Sequence, residues 1–380
     1  MNSCSPVLTN QQEGLDEIIS TIKSEYALDT RLVVFDVKAD VDIYNKKIVL
    51  KGETSLQKAK EALLLAMQDS EISFVDSVLL LPEEADKYGI IKLSVANLRS
   101  RPAHSAELST QALMGTPVKI LKTKGSWHLI QSPDKYISWV DGGGIHIVDN
   151  AGKEEWLARQ KLIFLGQSNF GFSEPSLQST PVTDLVNGNI LAFIEEDSKW
   201  YKVALPDGRE AFVEKTSSKP VQNWLSEIER SEPSLIKTAK QMTGLPYLWG
   251  GTSSKGVDCS GFTKTIYLLH GIVIPRDADQ QSKAGSLVDN EGDFSKLMPG
   301  DLLFFGRQAS DSTSERITHV GMWIGQNEFI HSAGRVHVSS VDAEADNYDD
   351  FNTKRYIRST RIFGYEDDPG FVDLKQTFVF

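Results

Sequence analysis

The spacing of apolar and polar residues changes its period several times near the start of the chain. Residues 11–26 carry Leu15, Ile19 and other apolar side chains at spacings of three and four, which predicts an amphipathic helix. The elements that follow are, in order, a strand over 31–44, a strand over 47–52, a helix over 56–67 and a strand over 73–81. The order α-β-β-α-β predicts a small α+β module over residues 1–86, and no chemical motif stands out in it.

Short apolar runs separated by turn residues follow, first over residues 87–150 and again over 158–217. Each stretch contains a Trp-x-x-(Ile/Val) strand, then a polar turn and an aromatic strand, and these Trp residues are Trp127 and Trp200. Two tandem copies of about 60 residues are the simplest interpretation. Each copy resembles a bacterial SH3-like barrel, and the helical, Pro-containing stretch 216–233 is predicted to be a connector.

Composition and charge narrow the class of protein. The 380 residues contain 40 Lys and Arg against 52 Asp and Glu, for a net charge of −12, and no basic stripe offsets it. Nucleic acid is therefore not an expected partner. The only cysteines are Cys4 and Cys259, which excludes a disulfide scaffold and a zinc site built on several thiolates. No apolar run approaches the roughly 20 residues of a transmembrane segment, so none is expected.

The first residues leave the location of the protein open. Residues 1–6 lack a basic n-region and an apolar h-region, so the sequence as given has no signal peptide. A small residue, Ser3, precedes Cys4, which resembles the end of a bacterial lipoprotein signal whose hydrophobic part has been removed. The alternative is an incidental cysteine in a frayed terminus. Both the cell envelope, with a lipid on Cys4, and the cytoplasm remain possible locations.

The candidate chemistry lies in the last 150 residues of the chain. Cys259 begins a predicted helix, where unpaired N–H groups and the helix dipole favour a thiolate. His319 and His331 are 12 positions apart, and a hairpin turning at 325–327 would bring them onto neighbouring strands. One imidazole could then take the thiol proton while the other orients it. A zinc site that adds His337 is the alternative, but no carboxylate has a suitable spacing, so we expect neither a metal nor another cofactor.

Six motifs in this region carry a family resemblance. They resemble, in the same order, those of the NlpC-type, papain-like cysteine peptidases that cut cell-wall peptides. The resemblance implies a catalytic domain over residues 228–366, with Cys259 as nucleophile, His319 as base, His331 as orienting residue and Tyr247 as an oxyanion or substrate contact. The motifs are Pro246-Tyr247-Leu248-Trp249-Gly250-Gly251, Asp258-Cys259-Ser260-Gly261, Pro275-Arg276, Pro299-Gly300-Asp301-Leu302, His319-Val320-Gly321 and His331-Ser332-Ala333.

The tandem barrels extend this resemblance to one subfamily. Barrels in this position are similar to those of the γ-D-glutamyl-L-diamino acid endopeptidases, also called dipeptidyl-peptidase VI. The resemblance implies that the first barrel helps to form a pocket for a free N-terminal L-Ala. Glu107, Tyr136 and Asp258 would bind the ammonium group, and Ser260 would position the substrate. Residues 1–86 are not part of this pattern, so their role stays open.

The expected protein is an α+β multidomain chain with an N-terminal α+β module, two small SH3-like β-barrels and a papain-like catalytic domain. The expected substrates are murein peptides of the form L-Ala-γ-D-Glu-diamino acid. One alternative is a non-catalytic adaptor that binds the cell wall, although the presence of Cys259, His319 and His331 argues against it. The other is an endopeptidase or amidase that acts on intact peptidoglycan. The preferred diamino acid and the oligomeric state are not predicted.

Overall fold

The computed structural model describes residues 6–42, 47–69 and 73–379. These residues form an α+β module, two small β-sheet modules and a second α+β module, which confirms the predicted fold class. The second α+β module contains the predicted catalytic residues and is called the catalytic module below. Cys4, the predicted site of a lipid, lies outside the described residues, as does the end of the first predicted strand. Within the described residues, none of the helices combines the length and the apolar character that crossing a bilayer requires.

The N-terminal module packs two helices against a three-stranded sheet. Leu15 and Ile22 of its first helix and Leu63 of its second share one buried core with Leu50 of the sheet. Residues three or four apart lie on one face of a helix, so the apolar spacing produces this packing. The observed order is the predicted α-β-β-α-β, with β1 and β2 antiparallel and β2 and β3 parallel. The elements are α1 (Pro6–Tyr26), β1 (Phe35–Asp42), β2 (Lys47–Thr54), α2 (Gln57–Asp69) and β3 (Phe74–Leu80).

The next two modules are antiparallel sheets of seven strands each. The first contains β4 (Tyr88–Ile91), β5 (Val95–Arg99), β6 (Leu108–Leu113), β7 (Pro117–Lys124), β8 (Trp127–Gln131), β9 (Ile137–Asp141) and β10 (Ile145–Val148). Helix α3 (Asn150–Ala158) leads to the second. That sheet contains β11 (Lys161–Phe164), β12 (Ser168–Phe172), β13 (Pro181–Val186), β14 (Ile190–Glu196), β15 (Trp200–Ala204), β16 (Glu210–Glu214) and β17 (Ser218–Pro220).

The two sheets have the same strand order, which confirms the predicted tandem repeat. The first is ordered β10-β4-β7-β8-β9-β5-β6, and the second, taken from its other end, is β17-β11-β14-β15-β16-β12-β13. Each strand of the first sheet therefore corresponds to the strand seven places later. Trp127 and Trp200, which mark the repeat in the sequence, begin the equivalent strands β8 and β15.

The predicted connector belongs partly to the second sheet. Its residues form β17, which pairs with β11, and helix α4 (Val221–Glu227). Val221 and Trp224 of this helix pack with Val273 and Leu374 of the catalytic module in one buried cluster. The second barrel is thus joined to the catalytic module by an apolar contact as well as by the chain.

The catalytic module packs a helix, α6, against a six-stranded antiparallel sheet in the order β21-β26-β22-β23-β24-β25. Phe262 and Ile266 of that helix share a core with Phe304, Val320 and Ile330 of the sheet. The elements are α5 (Glu232–Gln241), β18 (Thr252–Ser253), β19 (Gly256–Val257), α6 (Cys259–Leu269), β20 (Ile272–Val273), α7 (Ala278–Gln281), β21 (Ser286–Asp289), β22 (Leu302–Arg307), β23 (Arg316–Gly325), β24 (Glu328–Ala333), β25 (Arg335–Ser340), α8 (Asp350–Thr353), β26 (Tyr356–Arg361) and β27 (Val372–Asp373).

Candidate active site

Cys259 is the first residue of helix α6, as the sequence predicts, and Asp258 is the N-cap. The Asp258 carboxylate accepts the backbone N–H of Gly261 at 2.7 Å, which turns the chain into the helix at Cys259. The cysteine is buried, with 8% of its surface exposed. The backbone N–H groups of Ser260 and Val320 favour the charged form of the thiol and so act to lower its pKa.

The two predicted histidines lie on neighbouring strands. Strands β23 and β24 form the expected hairpin, with Gln326 and Asn327 in left-handed conformation at its turn. The Nε2 atom of His319 lies 2.7 Å from Nδ1 of His331. Val320, the next residue in the chain, shares a buried core with Cys259, so His319 lies on the strand that packs against the start of helix α6.

Two further side chains determine the tautomer of His331. Its Nε2 atom lies 3.1 Å from the Ser339 hydroxyl and 3.2 Å from Nε2 of His337. If His319 accepts the thiol proton at Nδ1, its Nε2–H donates to Nδ1 of His331. His331 then carries its own proton on Nε2, where Ser339 or His337 accepts it. Sequence reasoning missed this role, although residues 337 and 339 alternate along β25 and so share one face.

Burial favours the neutral forms of the thiol and the imidazole. It raises the pKa of Cys259 to about 12, and the Asp258 carboxylate adds to this shift. It also lowers the pKa of His319 to about 4. The sequence predicts a thiolate at this helix start, but the loss of solvation outweighs the N–H groups. A neutral pair remains a competent nucleophile, because the proton can move to His319 as the carbon–sulfur bond forms.

Cys259 lies on the wall of a cavity of about 630 Å³. Residues of the N-terminal module, the first barrel and the catalytic module all line this cavity. Thr318 is part of the lining, whereas its neighbour His319 and the buried His331 are not. The other predicted site residues all line it: Glu107, Tyr136, Tyr247, Asp258, Cys259 and Ser260.

The Asp258 carboxylate is paired with a buried guanidinium. Arg276, whose side chain is 1% exposed, donates from Nη2 to Asp258 at 2.6 Å and from Nη1 to the Ser260 hydroxyl at 2.9 Å. Its Nε donates to Thr110 of the first barrel at 2.8 Å. The backbone N–H of Gly250 donates to Asp258 as well, at 2.9 Å. The role of Asp258 as an ammonium ligand stays a prediction, because much of its charge is already compensated.

Glu107 joins the first barrel to the catalytic module at the cavity. Its carboxylate accepts the indole N–H of Trp249 at 2.8 Å. The backbones also approach closely here: Gly250 has a φ of +79°, and a Cβ on it would meet the Leu108 carbonyl oxygen at 2.3 Å. Only glycine fits this conformation and this contact without a shift of the backbone.

Both predicted tyrosines are hydrogen-bond donors at neutral pH. Burial raises the pKa of Tyr247, and the adjacent Cys259 and Asp258 raise it further. Burial also raises the pKa of Tyr136, whose hydroxyl donates to Asp277 at 3.2 Å. A protonated phenol is what the predicted oxyanion contact of Tyr247 requires.

Arg31 also lines this cavity, and no sequence pattern predicts it there. Arg31 lies in the N-terminal module, 246 positions before Asp277, and its Nη1 donates to that carboxylate at 2.8 Å. A contact between such distant residues leaves no motif and no periodicity in the sequence.

In the part of the chain that the structure describes, no three His, Cys, Asp or Glu side chains are grouped as a metal site would require.

Three family models match separate parts of the chain. The NlpC/P60 family matches residues 244–358, the bacterial dipeptidyl-peptidase Sh3 domain matches residues 98–144, and the bacterial SH3 domain matches residues 172–219. These ranges fall in the catalytic module and in the two barrels, respectively. The N-terminal module lies outside all three.

Curated proteins and a solved structure are similar over the same region. A γ-D-glutamyl-L-lysine dipeptidyl-peptidase of Bacillus cereus is 33% identical over 60% of this chain and 67% of the relative. Dipeptidyl-peptidase 6 of Lysinibacillus sphaericus is 28% identical over 67% of this chain and 92% of that protein. The crystal structure of an NlpC/P60 family protein from Bacillus cereus superimposes with a TM-score of 0.61 at 26% identity, covering 72% of this chain and 99% of that one.

Proposed function

The chain belongs to the NlpC/P60 family and is a cysteine peptidase, and we propose that it hydrolyses the amide between γ-D-glutamate and a diamino acid in murein peptides. The observation that carries this proposal is Cys259 on the wall of the cavity, at the start of a helix that packs against β23, the strand whose His319 is held by His331. The names of the similar peptidases from Bacillus cereus and Lysinibacillus sphaericus support the choice of bond.

In the first half of the reaction the sulfur of Cys259 attacks the γ-carbonyl carbon of the glutamyl residue. His319 accepts the thiol proton at Nδ1 while His331 accepts a hydrogen bond from its Nε2–H. The carbonyl oxygen becomes an oxyanion, which the backbone N–H of Cys259 and the hydroxyl of Tyr247 stabilise. The site is buried, so these dipoles act in a medium of low dielectric constant and stabilise the charge strongly.

The tetrahedral intermediate then collapses. His319 gives its proton to the nitrogen of the diamino acid and the C–N bond breaks, so that L-Ala-γ-D-Glu remains bound to Cys259 as a thioester. A water molecule then loses a proton to His319 and adds to the thioester carbon. Collapse of this second intermediate releases L-Ala-γ-D-Glu and returns the proton to the sulfur. The imidazole thus acts in turn as base and as acid.

The walls of the cavity favour a substrate with a free amino terminus. Trp249 engages one oxygen of the Glu107 carboxylate, which leaves the other oxygen for an ammonium group. Tyr136 and Asp258 line the same cavity, and Ser260 is held there by Arg276. Since the first barrel forms one wall, a peptide carrying a sugar or acyl group on L-Ala would need space that this wall occupies.

The test compares L-Ala-γ-D-Glu-L-Lys with its N-acetyl derivative, using mass spectrometry to identify the products. We expect cleavage of the free peptide after D-Glu, and cleavage of the acetylated peptide at least about tenfold more slowly, because a charged hydrogen bond is lost. Cys259→Ala should reduce kcat by more than about 10³-fold, as loss of a nucleophile does in other peptidases. Cys4→Ala is the matched control and should retain activity.

Each other outcome contradicts a defined part of the proposal. Activity retained in Cys259→Ala would exclude Cys259 as nucleophile. Equal cleavage of the two peptides would exclude the ammonium pocket and favour an endopeptidase acting on intact peptidoglycan. Binding of both peptides without cleavage would favour the non-catalytic adaptor.

A further inference from the structure

The N-terminal module is docked beside the substrate cavity. The backbone carbonyl of Arg31 accepts the N–H of Ile137 at 2.7 Å, and the carbonyl of Leu32 accepts the side-chain amide of Gln131 at 3.1 Å. Val34 packs in the same region, against an apolar cluster of the first barrel. Ile137 begins strand β9 and directly follows Tyr136, so the module contacts the chain next to a proposed substrate residue.

Arg31 extends from this contact to the start of helix α7 in the catalytic module. Its Nη1 donates to Asp277 at 2.8 Å and to Asp279 at 2.7 Å, and its Nη2 donates to the second oxygen of Asp279 at 2.7 Å. Asp29 of the same module accepts from Arg31 at 2.8 Å and from Gln280 at 2.7 Å. A planar guanidinium with several charged partners is a geometrically specific contact.

The contact continues to the substrate side of the cavity. The Asp277 oxygen that accepts from Arg31 also accepts the hydroxyl of Tyr136, at 3.2 Å. Arg31, Asp277 and Tyr136 all line the cavity. A chain of two hydrogen bonds therefore runs from the N-terminal module to a side chain proposed to contact the substrate.

We propose that the N-terminal module is part of the substrate-binding machinery and that Arg31 is its positioning residue. Arg31 fixes the carboxylate of Asp277, and Asp277 fixes the phenol of Tyr136 in the orientation that meets the ammonium end of the peptide. This inference rests on the proposed function, which assigns Tyr136 to the substrate pocket. It gives a role to residues 1–86, which lie outside the matched family models.

The charge of Asp277 depends on its neighbours. Burial raises the pKa of this carboxyl group and Asp279 adds to the shift, whereas Arg276, Arg31 and the hydroxyl of Tyr136 lower it. An ionised carboxylate accepts the tyrosine hydrogen bond more strongly than a protonated one. Without Arg31, Asp277 becomes protonated at a higher pH, and Tyr136 loses this acceptor.

The experiment uses the full-length protein with Arg31→Ala, Arg31→Lys and a control, Glu53→Gln. The control removes an ion pair with Lys122 that also joins the N-terminal module to the first barrel but does not line the cavity. Values of kcat and KM for L-Ala-γ-D-Glu-L-Lys are measured between about pH 5 and 9. Each Arg31 variant is compared with the control in thermal unfolding.

We expect Arg31→Ala to raise KM at least about tenfold at neutral pH and to leave kcat within about twofold, because an oriented charged contact is lost. The pH below which KM rises should move upward. Arg31→Lys should restore part of the affinity, since it keeps the charge but not the fork of donors. Glu53→Gln should behave as the parent protein.

Unchanged KM and pH dependence in Arg31→Ala, or equal effects in Arg31→Ala and Glu53→Gln, would overturn the proposal. If the Arg31 variants fail to fold, Asp277→Asn and Tyr136→Phe must each raise KM, and a normal KM in either would overturn the proposal. Calorimetry of the same peptide with Cys259→Ala, alone and combined with Arg31→Ala, measures binding without hydrolysis. If the parent protein cleaves nothing, the proposed function fails, and equal affinities here would separately overturn the role of Arg31.

Discussion

At the scale of single residues, the orientation of His319 depends on partners that touch neither the thiol nor the cavity. His331 is 1% exposed and lies between His319 on one side and Ser339 and His337 on the other. An acceptor at Nε2 of His331 keeps the proton of that ring on Nε2, which leaves Nδ1 free to accept the Nε2–H of His319. The proton-transfer geometry is therefore distributed over three strands, β23, β24 and β25, and removing one member changes the orientation of the base.

Replacing His331 by Ala should lower kcat by about 10²–10⁴-fold with little change in KM, because His319 loses the acceptor that holds its ring. His331→Asn keeps a side-chain oxygen that can accept the Nε2–H of His319, so its loss should be smaller. Steady-state kinetics at one pH measures both values. Ser339→Ala serves as the control and should lower kcat least of the three variants. An unchanged kcat in His331→Ala would contradict the orienting role of His331.

The histidines also predict how stability varies with pH. Burial lowers the pKa of His319 from 6.5 to about 4 and that of His331 from 6.5 to about 2. Below pH 6.5 the unfolded chain binds protons that the folded state does not, so the free energy of unfolding decreases as the pH falls towards 4. Between pH 7.5 and 5 the loss is about 2 kcal/mol for each such group.

Urea unfolding of the parent protein and of His331→Asn, at pH 7.5 and pH 5, tests this prediction. The variant lacks one buried imidazole and should lose less stability on acidification than the parent protein. An equal loss in both proteins would show that His331 does not contribute to the pH dependence.

At the scale of elements, helix α6 begins on a buried ion pair. Asp258 caps the helix and pairs with Arg276, which also reaches Thr110 of the first barrel. The pair therefore ties the start of the helix that carries Cys259, the proposed nucleophile, to a neighbouring module. A buried charge without its partner is costly, since neither water nor another cation compensates it.

Arg276→Met should lower the free energy of unfolding by about 3–5 kcal/mol, because it leaves the Asp258 carboxylate buried and unpaired. The control is Arg159→Met, which breaks an exposed pair with Glu155 and should cost at most about 1 kcal/mol. Urea unfolding measures both values. A similar effect in the two variants would contradict the structural importance of the buried pair.

The sequence predicts those elements whose strand alternation, turn residues or repeated Trp positions all lie within a short segment of the chain. The hairpin that brings His319 to His331 follows from alternating strands and a turn at Gly325, and the repeat of the barrels follows from Trp127 and Trp200. Strands β4 and β10 are only four residues long, too short for alternation to reveal them. The seven strands of each sheet were therefore predicted only in part.

At the scale of the whole molecule, contacts between modules were beyond the reach of sequence patterns. Arg31 and Asp277 meet only because two separately folded surfaces dock, and neither surface has a motif or a period that encodes the other. The same holds for the contact between Arg276 and Thr110 of the first barrel, because only Arg276 belongs to one of the motifs. The sequence therefore predicts the candidate site residues, whereas the shape of the cavity depends on how the modules dock against one another.

The two barrels share one strand order but have different neighbours. The first contributes Glu107 and Tyr136 to the cavity. The second contributes Ile163 and Ile190 to the apolar cluster that contains Trp224. A repeated fold thus lines the cavity in one copy and attaches to the catalytic module in the other, which fits the principle that function depends on sites rather than on the fold itself.

The cavity wall built from distant modules has a consequence for the synthesis of the protein. The Arg31–Asp279 contact closes a loop of 248 positions, and Cys259 and both histidines emerge from the ribosome long after Arg31. The segment that carries Arg31 is therefore synthesised long before its partners in helix α7, and the complete cavity wall forms only when the earliest and latest parts of the chain have docked. If the N-terminal module positions the substrate, the KM for the peptide during refolding should reach its final value only when this contact has closed.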